Sequence, residues 1–360
     1  MKRIVDFLIQ IIIVFLLILT IVLPKKEFSA NENRYLQKFP IFSIESIFNG
    51  NFMTNMSNYI ADHFPFREEF LNFKTNLFKK IGVKRQNELY YAADNYLIEE
   101  YQKPTNNEKI VKVVNRFMEA NPKIKYNFML VPTSSYILQN KLPKYNLNYD
   151  EYETIDYFKN NLKSNYIDVS DILLKNNNQY IYYRTDHHWT TRGAYYAYLE
   201  YCNKNGILPV NYSFQIVSEN FYGTLYSKIL DNTIEHDIIE RVIDNNIYQV
   251  EYSDSDVYSL YNEKFLNEKD KYSYFLNGNQ SLITIVNTKV EDNEILIIKD
   301  SYANCFIPLI ANHYSKIHVI DPRYYKNSIS DYIRNNNISN ILFIYNIGTI
   351  DDDLGILSIN

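Results

Sequence analysis

The sequence predicts an α/β fold in which a mostly parallel sheet carries helices on both faces. Short, strongly apolar runs recur along the chain, segments with helical spacing separate them, and turn residues mark the junctions. Strands that alternate with helices are typical of parallel sheets. Of the 360 residues, 46% are hydrophobic, so the chain can bury one large core or two smaller ones.

An apolar N-terminal segment precedes this body. The run FLIQIIIVFLLILTIVL, residues 7–23, has basic residues before and after it. About 17 to 25 apolar residues span a bilayer, so the run is a signal peptide or an uncleaved anchor. The following PKKEFSA fits a cleavage site poorly because Phe28 stands where a small residue is expected. We favour a single-pass anchor, residues 1–27, with the body outside the cell.

The region 28–120 is predicted to be helical and to pack on the core. Its aromatic and aliphatic positions recur at helical spacing over residues 51–82, and Pro65 in the sequence DHFPFR separates two helices. The first part of the core, 121–208, is expected to contain these elements in order: a strand at 124–132, a helix at 152–164, a strand at 166–173 and a helix at 190–207 that stops at Gly206.

The second part of the core, 293–360, continues the alternation. EILIIKD, SYANCFIPLIANHYS and KIHVID predict a strand, a helix and a strand, and NILFIYNI predicts one more strand. Between the two parts, residues 209–292 contain short Tyr/Ile/Val runs broken by Asn, Asp and Gly, without helical spacing. We interpret this stretch as a β-rich insertion.

Charge and cysteine content exclude several functions. The net charge is −5 and no basic stripe is visible, so nucleic acid is not an expected partner. Cys202 and Cys305 are the only cysteines. Two cysteines a hundred residues apart match neither a disulfide scaffold nor a zinc site. Both are predicted to be buried small hydrophobes.

Ser301 is the first candidate catalytic residue. It follows the apolar run ILIIK and Asp300, where a strand becomes a helix at the carboxyl edge of the sheet. Ligands of open α/β folds bind at that edge, and the free N–H groups of a helix start can stabilise an oxyanion. The simpler interpretation is a helix cap made by Asp or Ser.

A serine nucleophile needs a base, and the base needs an orienting carboxylate. The sequence TDHHW places Asp186 two residues before His188. In an extended loop these two side chains lie on one side and His187 lies on the other. The alternative is that Thr185 or Asp186 caps the next helix and the histidines are exposed.

Two other chemistries use the same residues. Asp186, His187 and His188 could supply metal ligands, but adjacent histidines seldom share one ion without a further ligand, so we expect no metal and no cofactor. Cys305 could replace Ser301 as nucleophile. It lies one turn further on the same helix face, so we expect it to pack beneath the site.

Taken together, several motifs resemble the DHHW family, which is similar to the SGNH hydrolase-like proteins of alginate O-acetylation. They are NENRYLQKFP, DHFPFR, TDHHWTTRGAYYAY, FYGTLYSK and IKDSYANCFIPLI, in this order from about Phe28 onward. The resemblance implies an SGNH-like three-layer α/β/α domain outside the cytoplasm that transfers or removes acetyl esters on a polysaccharide. It also implies an Asp-x-His pair upstream of the serine, which corresponds to Asp186, His188 and Ser301.

The chain departs from the SGNH pattern at two places. Lys299 replaces the glycine that usually precedes Asp-Ser, and YNIGT, residues 345–349, lacks the expected Gly-x-Asn order. We therefore expect Ser301 N–H to be the principal oxyanion donor. The further candidates for contact with substrate are Arg323, Thr133, Trp189, Tyr302 and His187.

The sequence leads to one preferred function and two alternatives. The preferred function is a membrane-anchored polysaccharide O-acetyltransferase with an acetyl-serine intermediate. Because acetyl-CoA is not available outside the cell, the resemblance implies a multi-pass membrane acyltransferase as acetyl donor. The alternatives are an acetyl esterase with the same triad, in which water resolves the intermediate, and a non-catalytic glycan-binding scaffold subunit.

Overall fold

The computed structural model describes residues 2–253, 255 and 258–359. Parts of three predicted segments lie outside the described residues: residue 1 of the anchor, residues 254, 256 and 257 of the insertion, and residue 360 of the core. The described chain forms two compact units. One runs up to Asn87 and includes Tyr226–Ile234, and the other comprises Glu88–Leu225 and the chain from Glu235 onward.

The first unit is mainly helical. The predicted bounds 28–120 of a helical region stay a prediction. Its elements are α1 (Lys2–Val22), β1 (Phe28–Ser29), β2 (Arg34–Tyr35), α2 (Ile44–Phe48), α3 (Asn51–Asp62), α4 (Arg67–Lys80) and β3 (Arg85–Gln86). In α1, the window Arg3–Thr20 is long and apolar enough to cross a membrane, a property that a signal sequence shares. Helices α3 and α4 meet at Pro65, where the absence of a backbone N–H separates them.

The second unit is an α/β body. Its strands are β4 (Leu89–Tyr91), β5 (Leu97–Glu99), β6 (Lys125–Val131), β7 (Asn165–Tyr166), β8 (Ser213–Phe221), β9 (Asp237–Ile243), β10 (Gln249–Tyr252), β11 (Leu282–Val286), β12 (Glu294–Lys299), β13 (Lys316–Ile320) and β14 (Asn340–Asn346). Its helices are α5 (Asn107–Ala120), α6 (Ser134–Ile137), α7 (Glu151–Asn161), α8 (Ser170–Lys175), α9 (Thr191–Asn205), α10 (Thr224–Ile229, which begins in this unit), α11 (Ile307–Ile310) and α12 (Ile329–Asn335).

A seven-stranded sheet in the order β10-β11-β13-β12-β14-β6-β7 forms the centre of this body. The strands from β13 to β7 are parallel, whereas β10 and β11 add antiparallel at one edge. Alternate residues of the central strands are buried on opposite faces. One face packs against α9 and the other against α5, α7 and α12. The predicted α/β fold with a mostly parallel sheet is confirmed.

The predicted β-rich insertion contributes to two sheets. Strands β8 and β9 pair as a separate antiparallel ribbon with irregular register. Strands β10 and β11 instead extend the central sheet. The segment 209–292 is therefore joined to the α/β body by backbone hydrogen bonds. Its boundaries as a domain stay a prediction.

Two predicted elements differ in the structure. The strand predicted at 166–173 is wrong: only Asn165–Tyr166 is a strand, and Asp168 Oδ1 accepts the N–H of Ser170 at 3.1 Å, which turns the chain into α8. The helix predicted after β12 is broken into a 3-10 turn at Ser301–Cys305, then α11, then a second 3-10 turn. Pro308 lies in the first turn of α11 and cannot donate a helical hydrogen bond.

Candidate active site

Ser301 lies at the carboxyl edge of the central sheet. It follows β12, whose parallel neighbours are β13 on one side and β14 on the other. The chain leaves β12 for β13 and then crosses to β14, so the strand order changes direction beside β12. Such a switch point opens a crevice in which ligands of α/β proteins bind. The partly exposed Ser301 side chain is thus at the expected place for a ligand.

Asp300 caps the turn after β12. Its Oδ1 accepts the N–H of Tyr302 at 2.9 Å, and its Oδ2 accepts the N–H of Asn346 at 2.8 Å and the Thr349 hydroxyl at 2.6 Å. Because the carboxylate of Asp300 makes the cap, the hydroxyl of Ser301 is not needed for it. Among the described residues, the backbone N–H of Ser301 has no acceptor, so it is free to meet an oxyanion.

The structure brings the three predicted residues together. Ser301 Oγ lies 2.9 Å from His188 Nε2, and His188 Nδ1 lies 2.6 Å from Asp186 Oδ1. The same carboxylate oxygen also accepts the backbone N–H of His188 at 3.0 Å. In the tautomer with a proton on Nδ1, His188 donates to Asp186 and can accept the hydroxyl proton of Ser301. This is the geometry that serine activation requires.

The loop that carries Asp186 and His188 is held from both ends. The side chain of Thr190 caps α9 by accepting the N–H of Gly193 at 3.2 Å, so neither of the predicted caps, Thr185 and Asp186, makes this bond. Thr185 instead donates its N–H and its hydroxyl to the buried carboxylate of Asp237, at 2.8 and 2.5 Å. Four hydrogen bonds to Asp237, including those from Tyr180 and Arg184, fix the start of the loop.

Gly223 and Thr224 hold the far side of the Asp186 carboxylate. Thr224 donates its N–H at 2.8 Å and its hydroxyl at 3.2 Å to Asp186 Oδ2. A Cβ atom on Gly223 would lie 2.2 Å from the Cβ of Asp186. Only glycine permits this approach. The sequence contained a signal for this pair, the motif FYGTLYSK, but did not indicate its function.

The imidazole of His188 is packed against two rings. Tyr272 stacks on it with 3.7 Å between centroids and 11° between planes, and the tilted ring of His187 lies at 3.9 Å. The expectation that His187 points to the opposite side is wrong, because the loop is bent where an extended chain was expected. The Tyr272 hydroxyl also donates to the carbonyl oxygen of Ser301 at 3.2 Å. Tyr272 therefore contacts both Ser301 and His188.

Burial and neighbouring charge keep His188 neutral. Burial, and after it the electrostatic effect of the neighbouring His187, lower the pKa of His188 to about 4, against the opposing effect of Asp186. Burial acts to raise the pKa of Asp186, but the histidine charges and the hydrogen bonds from His188 and Thr224 outweigh it and hold this pKa below its usual range. At neutral pH the pair is thus a carboxylate beside a neutral imidazole.

Some predicted substrate contacts are corrected by the structure. Trp189 is fully buried and donates its indole N–H to the carbonyl oxygen of Tyr302 at 2.9 Å. Tyr302 is itself buried, and its hydroxyl donates to the carbonyl oxygen of His187. Thr133 donates its N–H and its hydroxyl to the buried Glu151, whose pKa burial raises to about 7. Trp189 and Tyr302 therefore present no free surface to a substrate. Thr133 is partly exposed, and its contact with substrate stays a prediction.

Two of the residues predicted to contact substrate, His187 and Arg323, are partly exposed. The side chain of His187 is 27% exposed, and its Nδ1 lies 2.8 Å from the Thr224 hydroxyl. Arg323 is 30% exposed and binds Asp321 through Nε and one terminal nitrogen at 2.8 and 2.6 Å. The charge of Arg323 also helps to lower the pKa of His188, an effect that requires proximity. Their contact with substrate stays a prediction.

Lys299 and Cys305 lie beneath the site. Lys299 is fully buried and its ammonium contacts Asn304 Oδ1 at 2.7 Å, Asn279 Oδ1 at 3.2 Å and Asp321 Oδ2 at 3.5 Å. The lysine that replaces the usual glycine therefore has polar partners. Burial raises the pKa of the Cys305 thiol to about 12, and a thiol that stays protonated is a poor nucleophile.

Asp186, His187 and His188 form the one cluster of three possible metal ligands among the described residues. Five of their six possible ligand atoms already make contacts. Both nitrogens of His188, both carboxylate oxygens of Asp186 and Nδ1 of His187 make the contacts described above. An ion bound to His188 would displace one of its two side-chain contacts, the one with Asp186 through Nδ1 or the one with Ser301 through Nε2. The geometry favours serine chemistry over metal chemistry.

The chain is thus an α/β protein with a serine, a histidine and an aspartate hydrogen-bonded in series at the edge of its central sheet. A family model described as DHHW protein matches residues 86–320, more than half of the chain. The chain belongs to the DHHW family, as the motifs indicated.

Solved structures share this fold. A DHHW family protein from Eubacterium siraeum is 24% identical, with a TM-score of 0.68 over 76% of this chain and 96% of that chain. PatB1 of Bacillus cereus is 21% identical, with a TM-score of 0.65 over 74% of this chain and 98% of that one. PatB1 with a sulfonyl adduct is similar at 20% identity and a TM-score of 0.62, with the same coverage of both chains. Among curated proteins, none matches the chain.

Proposed function

We propose that the protein is a membrane-anchored O-acetyltransferase that acts outside the cytoplasm on a polysaccharide. The observation that supports this most directly is the series of contacts from Ser301 Oγ to His188 Nε2 and from His188 Nδ1 to Asp186. The choice of acetyl esters and of a polysaccharide acceptor rests on the family resemblance. The membrane anchor rests on the length and composition of α1.

In the first half-reaction, Ser301 attacks the carbonyl carbon of an acetyl donor while its hydroxyl proton passes to His188 Nε2. The negative oxygen of the tetrahedral intermediate meets the N–H of Ser301, and Asp186 stabilises the imidazolium. Collapse expels the alcohol part of the donor, which takes the proton from His188. Acetyl-serine remains.

In the second half-reaction, a sugar hydroxyl gives its proton to His188 Nε2 and attacks the acetyl group. The bond from the acetyl carbon to Ser301 Oγ breaks, and Oγ takes the proton back. Water in place of the sugar hydroxyl would make the protein an esterase. We propose that a multi-pass membrane acyltransferase supplies the acetyl group.

The first experiment is intact-mass measurement of the full chain after brief exposure to 4-nitrophenyl acetate. We expect one acetyl adduct in the wild type and in His187→Ala, and none in Ser301→Ala or His188→Ala. PatB1 has been solved with a sulfonyl adduct, so a sulfonyl fluoride is a suitable second probe: Ser301 Oγ would bond to sulfur and fluoride would leave. The absence of any adduct with both probes would refute serine chemistry and favour a glycan-binding subunit.

A second measurement separates transferase from esterase. The acetylated chain is mixed with soluble polysaccharide, and acetyl groups are counted on the polymer and in solution. Transfer to the polymer that exceeds release of acetate supports the proposed function. Release of acetate at a rate that the polymer does not change would make the protein an esterase.

A further inference from the structure

Helix α4 in the first unit packs with its polar face inward. Thr75 is fully buried, and its hydroxyl donates to the carbonyl oxygen of Ile229 at 2.9 Å. The Lys79 ammonium lies 2.7 Å from Asp231 Oδ2, and Asn72 Oδ1 accepts the N–H of Asn232 at 3.0 Å. The usual arrangement of a helix in a soluble protein is the reverse, with the apolar face inward.

The outer face of α4 is apolar and exposed. Five large side chains recur at intervals of three and four residues, which places them along one side of the helix. We name them the apolar stripe of α4: Phe66, Phe70, Phe73, Leu77 and Ile81, each 43 to 67% exposed. Exposed apolar surface of this kind marks a site of interaction with a protein or a membrane.

Exposed lysines flank the stripe. Lys74 follows Phe73 on one side of it, and Lys80 precedes Ile81 on the other. Long basic side chains beside an apolar face can reach the phosphates of a lipid headgroup layer while the apolar groups enter the acyl boundary. This combination favours a lipid surface over a protein partner.

The start of the stripe adjoins the end of the apolar helix α1. Leu23 and Pro24 line one small pocket together with Phe66 and Arg67. The Lys25 ammonium also lies 5.9 Å from the centroid of the Tyr59 ring on α3. If α1 spans the bilayer, its end lies at the membrane surface, and so does Phe66.

We propose that the apolar stripe of α4 is a membrane-binding surface that lies in the interface of the leaflet where α1 ends. The proposal rests on the anchor in the proposed function but not on the chemistry of Ser301. The bilayer itself would thus orient the first unit through α4 as well as through α1.

Tryptophan fluorescence tests this proposal on the full chain in phosphatidylcholine and phosphatidylglycerol vesicles. The only native tryptophan, Trp189, is fully buried and gives a constant background. Phe73→Trp places a reporter on the stripe, and Asn76→Trp places one on the same helix away from it. We expect lipids brominated in the acyl chain to quench the added emission of Phe73→Trp at least twofold more than that of Asn76→Trp. Leu77→Trp should repeat the result of Phe73→Trp.

Alkaline carbonate extraction separates the two ways in which the proposal could fail. If the chain stays with the vesicles but brominated lipid does not quench Phe73→Trp or Leu77→Trp, the stripe does not bind lipid and the proposal is refuted while the anchor stands. If carbonate extracts the chain, α1 is not an anchor and the placement of the stripe is refuted together with it. Circular dichroism of the vesicle-bound variants, compared with that of the wild type, shows that the chain is folded.

Discussion

Replacement of Gly223 by alanine tests whether the position of Asp186 controls the reactivity of Ser301. The added Cβ would lie 2.2 Å from the Cβ of Asp186, 2.3 Å from its Oδ2 and 2.6 Å from its Cγ. Ordinary contact begins at 3.4 Å, so the two groups must separate by about 1.2 Å. Gly223 does not have a positive φ, so the effect is steric.

A displacement of this size disrupts the site. The contact of 2.6 Å between Asp186 and His188 would become too long for a hydrogen bond. A misplacement of about 1 Å can cost about 10²-fold in rate, and loss of the orienting carboxylate costs up to about 10⁴-fold. We therefore expect acylation of Ser301 to slow by about 10² to 10⁴-fold. The overpacking should also lower the free energy of unfolding by about 1 to 3 kcal/mol.

The assay is the burst of 4-nitrophenol from 4-nitrophenyl acetate, expressed per folded molecule as measured by circular dichroism. Gly206→Ala is the matched control. It adds the same methyl group at the end of α9, where nothing lies within 4 Å but φ is +67°, so it should cost about 1 kcal/mol in stability and leave the burst unchanged. A burst in Gly223→Ala within threefold of the wild type would show that the position of Asp186 does not control the reactivity of Ser301.

Three further predictions concern the same site. Because His188 must be neutral to accept a proton and its pKa is about 4, acylation should rise with pH through about pH 4 and be flat at neutral pH. A change in the rate of acylation centred near pH 6.5, the pKa of free histidine, would contradict the effect of burial on the pKa of His188. Tyr272→Phe keeps the stacked ring and should lower the rate of acylation less than tenfold. Tyr272→Leu should lower this rate roughly 30-fold, because we expect the ring to stabilise the imidazolium by about 2 kcal/mol. Equal rates in the two variants would exclude that contribution. Asp237→Asn places an amide N–H group against the donors of Thr185. It should lower the free energy of unfolding by about 1 to 3 kcal/mol per unsatisfied group. A urea unfolding midpoint equal to that of the wild type would contradict this loss of stability.

The same pKa predicts how stability depends on pH. The folded chain binds a proton at His188 less readily than the unfolded chain, in which the pKa is about 6.5. The stabilisation from the neutral, buried imidazole is therefore fully present above about pH 6.5 and is lost as the pH falls toward 4.

The sequence predicted the parts of the fold that depend on local pattern. Strands β6, β12 and β14 are continuous apolar runs because both of their faces are buried, and such runs are visible in the sequence. The strand predicted at 166–173 failed because short apolar runs fit a strand and a buried helix equally well. The turn at Asp168 decided between them, and one side-chain hydrogen bond is not visible as a pattern.

In the candidate site, too, some residues were predictable from the local sequence and others were not. Asp186 and His188 were predictable because they are two residues apart, and Ser301 was predictable because it follows a buried strand. Gly223, Tyr272 and Asp237 were missed. They reach Asp186, His188 or Thr185 only through the tertiary fold, from positions 37 to 84 residues apart in the chain, and nothing in their local sequence indicates those contacts.

The surroundings of His188 determine from which side an acceptor can approach. Nδ1 is occupied by Asp186, and Tyr272 and His187 lie 3.7 and 3.9 Å from the ring centroid. The Nε2 edge, where Ser301 lies, is left for proton exchange with substrate. In the proposed mechanism, an acceptor hydroxyl therefore enters beside Ser301 after the alcohol of the donor has left that position. Because Tyr272 and Thr224 belong to the segment 209–292, this segment is needed to keep the other sides of the base closed. A change that loosens it should slow both half-reactions together, since both pass a proton through the same nitrogen.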